Sequence, residues 1–143
     1  MDVEKLTIKV QQSLNEAQLI AVKNNHQQID TLHLFAALIT QEEGLIPNIF
    51  SKMGVDIRQL DEDINKALAK MPRVTGSGAD TSSIRATRRF EEVFIKAEEE
   101  AKKFKDSYIS VEHVMLGLMD VKSKETGDIL KKFNISKEEF LSA

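Results

Sequence analysis

The chain has 143 residues, 41% hydrophobic and 30% charged, with 20 Lys and Arg against 23 Asp and Glu. A single domain of that size buries roughly two-thirds of its unfolded surface. The apolar share is too high for a disordered segment, and the slight negative charge argues against a nucleic-acid or anionic-membrane surface. Having no cysteine, the chain excludes disulfide frameworks, zinc–thiolate sites and thiol catalysis. No apolar run approaches the roughly 20 residues of a membrane span, and MDVEKLTIKVQQ mixes acids and bases where a signal peptide needs an apolar stretch. A soluble, cytoplasmic protein is expected.

Apolar spacings of three and four, short β-branched runs and two prolines predict an all-α protein without strands. Thr7 stands where a hydroxyl can cap the first helix, in which Val10, Leu14, Ala17 and Ala21 share one face. Ile8, Leu19 and Val22 share another, read as a second buried side rather than a binding surface. His26 follows as an exposed loop residue. Asp30 caps the second helix and places His33 at its third position. Gly54, tolerant of left-handed geometry, ends the third. Asp56 with Gln59 forms a capping-box pattern opening the fourth, Ile57 to about Ala69.

The segment MPRVTGSGADTSS, residues 71–83, reads as a mobile connector. After it Thr87 caps a fifth helix with Phe90, Phe94, Ala97, Ala101 and Phe104 on one face. Ser110 caps the sixth, in which Met115 and Met119 are read as core fillers in preference to a pliable binding surface. Asn134 ends the seventh. Ser136 with Glu139 opens the eighth, which Ala143 cuts after two turns, as expected of the N-terminal piece of something longer.

These elements repeat. A shift of 80 residues without gaps superposes Thr7 on Thr87, Ala17 on Ala97, Ala21 on Ala101, Ile29 on Ile109, His33 on His113 and Leu38 on Leu118. The helix punctuation superposes as well. The reading is two pseudo-symmetric four-helix repeats, residues 1–70 and 84–143, packed as one domain; long arrays stack many shorter units.

Chemistry-bearing residues are few. Neither His33 nor His113 has a second ligand at i+3 or i+4, so both are read as structural histidines in capping turns and no metal site is expected. Thr75-Gly76-Ser77-Gly78 lacks the lysine and the strand of a phosphate-binding loop. The acidic runs Asp61-Glu62-Asp63, Glu91-Glu92 and Glu98-Glu99-Glu100 lie over wide helical arcs as solvated faces, unlike paired catalytic carboxyls. With no nucleophile motif either, neither catalytic residues nor a cofactor are expected.

KLTIKVQQSLNEAQLIA, HQQIDTLHL, MPRVTGSG and DSYISVEHVMLGLM occur in the order, and over essentially the whole length, of Clp ATPase N-terminal domains. The chain resembles that family, and the connector with DSYISVEH is similar to its ClpB branch rather than to ClpC or ClpA. The resemblance implies a non-enzymatic substrate-recognition domain of an AAA+ disaggregase chaperone, binding apolar segments of unfolded or aggregated polypeptides. It places ATP and magnesium in modules beyond these residues, and implies a homohexameric parent with the DnaK system as partner. The family's proposed substrate surface carries over at Thr7, Asp106 and Glu112. Lys96, Glu100 and His113 occupy positions where some relatives place apolar groups. Docking of a folded adaptor, as in a ClpC- or ClpA-type protease chaperone, is the alternative.

Overall fold

The computed structural model describes residues 3–73 and 84–143; from position 74 onward the connector lies outside the described residues. A single 3-10 turn, Val3–Lys5, precedes helices α1 (Ile8–Lys23), α2 (Thr31–Ile39), α3 (Leu45–Lys52) and α4 (Ile57–Lys70). The second repeat supplies α5 (Arg88–Lys103), α6 (Val111–Asp120), α7 (Lys124–Lys132) and α8 (Lys137–Ser142). The fold is therefore all-α, with four helices in each repeat.

The caps form where the side chains predict them. Thr7 Oγ1 accepts from the Val10 amide at 3.3 Å and Thr87 Oγ1 from the Phe90 amide at 3.2 Å. Asp56 and Ser136 accept from the amides of Gln59 and Glu139, each at 3.2 Å. Gln59 does not complete a box, because its side chain donates to Asp63 at 2.9 Å. Gly54 and Asn134 close α3 and α7 at φ 84° and 56°.

Two helices form the centre. Every residue of α2 is buried, and so is every residue of α6 except Glu112 and Asp120. Helix α1 packs on α2, and α5 on α6, through the small residues Ala17, Ala21, Ala97 and Ala101. Phe140 of α8 crosses into the first repeat and meets Phe50 edge to face at 6.0 Å; Phe50 meets Phe35 likewise at 6.2 Å. Such pairs add about 0.5–1.5 kcal/mol to the burial itself.

The expectation of no strand is corrected in a small way. Gln28–Ile29 (β1) pairs in parallel with Arg85–Ala86 (β2), and Leu6 forms a bridge with Ile109. Stretches of two residues carry no period-two signal, which is why they were illegible. Their arrangement is reciprocal: the Thr87 amide donates to the Ile29 carbonyl at 3.0 Å, and the Thr7 amide to the Ile109 carbonyl at 3.1 Å. Each repeat's entry to its first helix is thus bonded to the other repeat's entry to its second.

Two further expectations fail. His26 is buried, because Asn25 adopts φ 58° and the His26 amide donates back to the Ala21 carbonyl at 2.9 Å, folding the chain over the end of α1. The second apolar face of α1 is not core: Ile8 is 73% and Leu19 49% exposed. Val22, the third residue of that face, is half-buried. Met115 and Met119 are buried as expected.

Arg89 reaches across the repeats to Asp30, with Nη2 2.6 Å from Oδ2, and the Thr87 hydroxyl donates to Oδ1 at 3.1 Å. Burial opposes ionisation of Asp30, but Arg89, the Thr31 amide and Thr87 outweigh it and hold the carboxyl below the usual carboxylate range. On the far side, the buried Thr31 and Thr126 hydroxyls lie 3.1 Å apart, and the Ser123 amide donates to Thr31 Oγ1 at 3.1 Å.

Gly117 marks the tightest helix crossing: a Cβ there would lie 2.5 Å from the Val93 carbonyl oxygen and 3.1 Å from the Ala97 nitrogen. Gly117→Ala is expected to force α6 off α5 and lower stability by about 1–3 kcal/mol, read as a reduced midpoint in urea unfolding. An unchanged midpoint would mean that the helices separate freely.

Candidate functional site

The helices that cover the centre leave a groove between them. It is lined by Leu14 of α1, Ala86, and Phe90, Glu91, Phe94, Ile95 and Glu98 of α5, and encloses about 480 Å³. Its floor is apolar for a local reason. The apolar arc of α5 is wider than α6 can cover, so Phe90 and Phe94 bury most of their surface and turn an edge outward. Their rings pack at 5.4 Å and 60°, which holds the floor in place. Ile95 stands beside them 60% exposed, and Glu91 and Glu98 form the polar rim. Leu14 and Phe94 exchange under the 80-residue shift, so the groove straddles the pseudo-two-fold relation between the repeats.

Residues 5–7 bond to Ile109 through the backbone, which puts Thr7 on one side of that crossing and Asp106 and Glu112 on the segment that flanks Ile109. Thr7 caps α1 and bonds the Ile109 carbonyl through its amide. Asp106 Oδ2 lies 2.8 Å from His113 Nε2. Glu112, half-buried, sits in the first turn of α6, where the helix dipole favours a carboxylate. Phe104 and Tyr108 flank this crossing, 52% and 60% exposed. Phe104, read as part of the buried face of the fifth helix, lies beyond its last turn and tilts over the His113 ring at a centroid distance of 6.2 Å.

Thr7 has a structural duty shared with Thr87, and Asp106 one shared with His26, its equivalent in the first repeat. Glu112 has none of that kind, since its equivalent is the buried Leu32. The groove residues themselves were missed as a site in the sequence. Leu14, Phe90 and Phe94 read there as core, and only Ile95, off the apolar arc, hinted at an exposed edge.

Lys96 pairs with Glu99 at 3.7 Å. Glu100, read as part of a solvated face, is instead buried, because Lys103 at 3.5 Å and Lys137 at 3.2 Å pair with its carboxylate; Lys137 also reaches Asp120 at 3.2 Å. Through Lys137 these bonds tie α8 to α5 and α6, and neither Lys96 nor Glu100 lines the groove. Among the described residues no cluster of three or more His, Asp or Glu could hold a metal, and no helix is long and apolar enough to cross a membrane. The arrangement can bury an apolar segment; it brings together no acid, base and nucleophile.

Comparison with known proteins gives this geometry a family. Residues 5–133 match the model of the Clp repeat (R) N-terminal domain. The chain is 58% identical over 142 residues to the chaperone protein ClpB of Clostridium tetani (strain Massachusetts / E88), which aligns 99% of this chain with 16% of that protein. It therefore spans about a sixth of the length of the curated relatives it matches. The crystal structure of the Hsp104 N-terminal domain from Candida albicans superposes with a TM-score of 0.81 at 22% identity, covering 96% of this chain and 87% of that one. A complex of a ClpV N-domain with a VipB peptide superposes at 0.72 and 12% identity, covering 98% and 86%. At those identities the two structures carry the fold alone.

Thr7→Ala is expected to remove the α1 cap and lower stability by about 1 kcal/mol. Thr87→Ala should lower it further, because that hydroxyl also binds Asp30. Equilibrium denaturation checks both; equal losses would show that the Thr87–Asp30 bond adds nothing.

Proposed function

The chain belongs to the Clp repeat N-terminal domain family, and on that premise we propose that it recognises substrates for a ClpB-type, ATP-dependent disaggregase chaperone. It binds exposed apolar segments of unfolded or aggregated polypeptides. The observation that carries this reading is the open groove between α1 and α5, in which exposed Ile95 and half-buried Leu14 stand over the outward edges of the buried Phe90 and Phe94. This reading also assigns Thr7, Asp106 and Glu112, outside the groove lining, to client contact, with Glu112 the member free of a structural duty. The same reading gives the longer protein ATP and magnesium in other modules, a homohexameric ring, the DnaK system as partner and a cytoplasmic location.

Binding of this kind is weak and adaptable. An extended client loses chain entropy on docking, and a groove of this size returns little more than that loss. Several copies on one ring compensate by raising the effective concentration of sites around a client already held.

A second reading is docking of a partner protein or adaptor, as in a ClpC- or ClpA-type protease chaperone. The complex of a ClpV N-domain with a VipB peptide favours it, since in that protein a defined peptide is the ligand.

A residue-resolved NMR titration with a permanently unfolded, apolar-rich polypeptide separates the two. Fast-exchange shifts are expected around Leu14, Phe90, Phe94 and Ile95. Ile95→Asp should weaken binding about tenfold at unchanged Tm, while Leu141→Asp, an exposed position outside the groove, should not. No shifts at high client excess, or equal losses in both variants, would reject recognition through the groove. Saturation by one folded adaptor, without response to unfolded clients, would establish the second reading.

A further inference from the structure

The two repeats close their second helices with the same device but different chemistry. In both, the third helical residue is a histidine whose Nδ1 accepts the amide of the N-cap residue. The Asp30 amide lies 2.9 Å from His33 Nδ1, and the Ser110 amide 2.9 Å from His113 Nδ1. Each ring therefore carries its proton on Nε2 and donates it seven residues back. In the first repeat the acceptor is His26 Nδ1 at 2.8 Å; in the second it is Asp106 Oδ2 at 2.8 Å. His26 then holds its own proton on Nε2, which is buried without a well-formed hydrogen bond and faces the Leu68 carbonyl in the last turn of α4.

In this chain of bonds every basic nitrogen of the first repeat already accepts an N–H. A further proton has two destinations. On His33 Nδ1 it opposes the Asp30 amide and breaks the cap of α2. On His26 Nδ1 it opposes His33 Nε2–H and separates the rings. The second repeat meets the same opposition at His113 Nδ1 from the Ser110 amide, but its geometry differs at both nitrogens: the half-exposed Asp106 carboxylate, in place of a second ring, faces Nε2, and Ser110 Oγ, 3.0 Å from Nδ1, can accept a proton placed there.

We propose that the His26–His33 pair is an acid-sensitive latch confined to the first repeat, which opens the α1–α2 corner on acidification while the second repeat stays closed. Burial, reinforced by His26, lowers His33 to about 4, and burial lowers His26 as well. With folded values below the unfolded 6.5, the pair's contribution is complete above that pH and is lost as pH falls toward 4. Asp30, the N-cap of α2, has its carboxyl held below the usual carboxylate range, and its charge works against the lowering of His33; Arg89, on α5, is paired with Asp30 and faces Glu125 of α7; Arg73, after α4, repels charge on His26. Because Asp30 also holds Arg89 and Thr87, opening this corner loosens the tie between the repeats.

Amide hydrogen exchange of the whole chain between pH 7.5 and 4, corrected for intrinsic rates, tests the latch. Protection at residues 31–34 and in the last turn of α4 should fall at least ~tenfold more than at residues 111–114. His26→Asp, which installs the second repeat's pairing, should move that loss to lower pH by about one unit or more. Should the variant not fold, nitrogen-15 shifts of the wild-type imidazoles decide. Both rings should hold Nε2–H at neutral pH and gain a proton only together with the loss of protection. Equal loss in both repeats, a His26→Asp transition at the wild-type pH, or titration of His33 near 6.5 with protection intact would overturn the proposal.

Discussion

A helix buried along its whole length cannot leave its first amides to water. Each unpaired buried donor costs about 1–3 kcal/mol, and α2 and α6 both begin inside the molecule. The capping boxes of Asp30 with His33 and Ser110 with His113 meet that demand from both directions: the N-cap side chain takes helical amides, and the histidine takes the N-cap's own. Histidine suits the position because its second nitrogen can be anchored in turn, to His26 in one repeat and Asp106 in the other. The rest of the fold wraps around the two helices so closed.

The repeats are joined by exchange rather than by simple contact. Residues 5–7 lie against residue 109, and residues 85–87 against residue 29, so the entry to α1 is completed by the second repeat and that to α5 by the first. Side-chain ties then differ on the two sides. Arg89 and Thr87 converge on Asp30, where the equivalent position is Ser110, while the hydroxyls of Thr31 and Thr126 meet where their equivalents are Val111 and Ile46. A backbone-level symmetry thus carries unlike chemistry, and the different pairings of His33 and His113 follow the same pattern.

Function falls to the surfaces that symmetry leaves uncovered. The alanine faces of α1 and α5 bring those helices close to α2 and α6, and on their outer arcs Ile8, Leu19 and Ile95 stay exposed. Where the two helices approach each other, the core comes to the surface: the outward edges of Phe90 and Phe94 with Leu14 of α1 make a groove floor. A client segment meets a preformed surface with little to reorganise, which suits recognition of many sequences at modest affinity.

Much of this was legible in the chain itself. The helix count, the caps at Thr7, Thr87, Asp30, Ser110, Asp56 and Ser136, the turns at Gly54 and Asn134 and the doubling of the unit are local properties. Each depends on residues within a turn or two of one another, where hydroxyls, carboxylates and backbone geometry act directly. The burial of His26, the exposure of Ile8 and Leu19, the exchanged backbone pairing and the groove were decided only in three dimensions. An apolar side chain becomes core or surface according to whether another helix arrives to cover it. That outcome rests on contacts between the two repeats, which neither periodicity nor capping within one of them encodes.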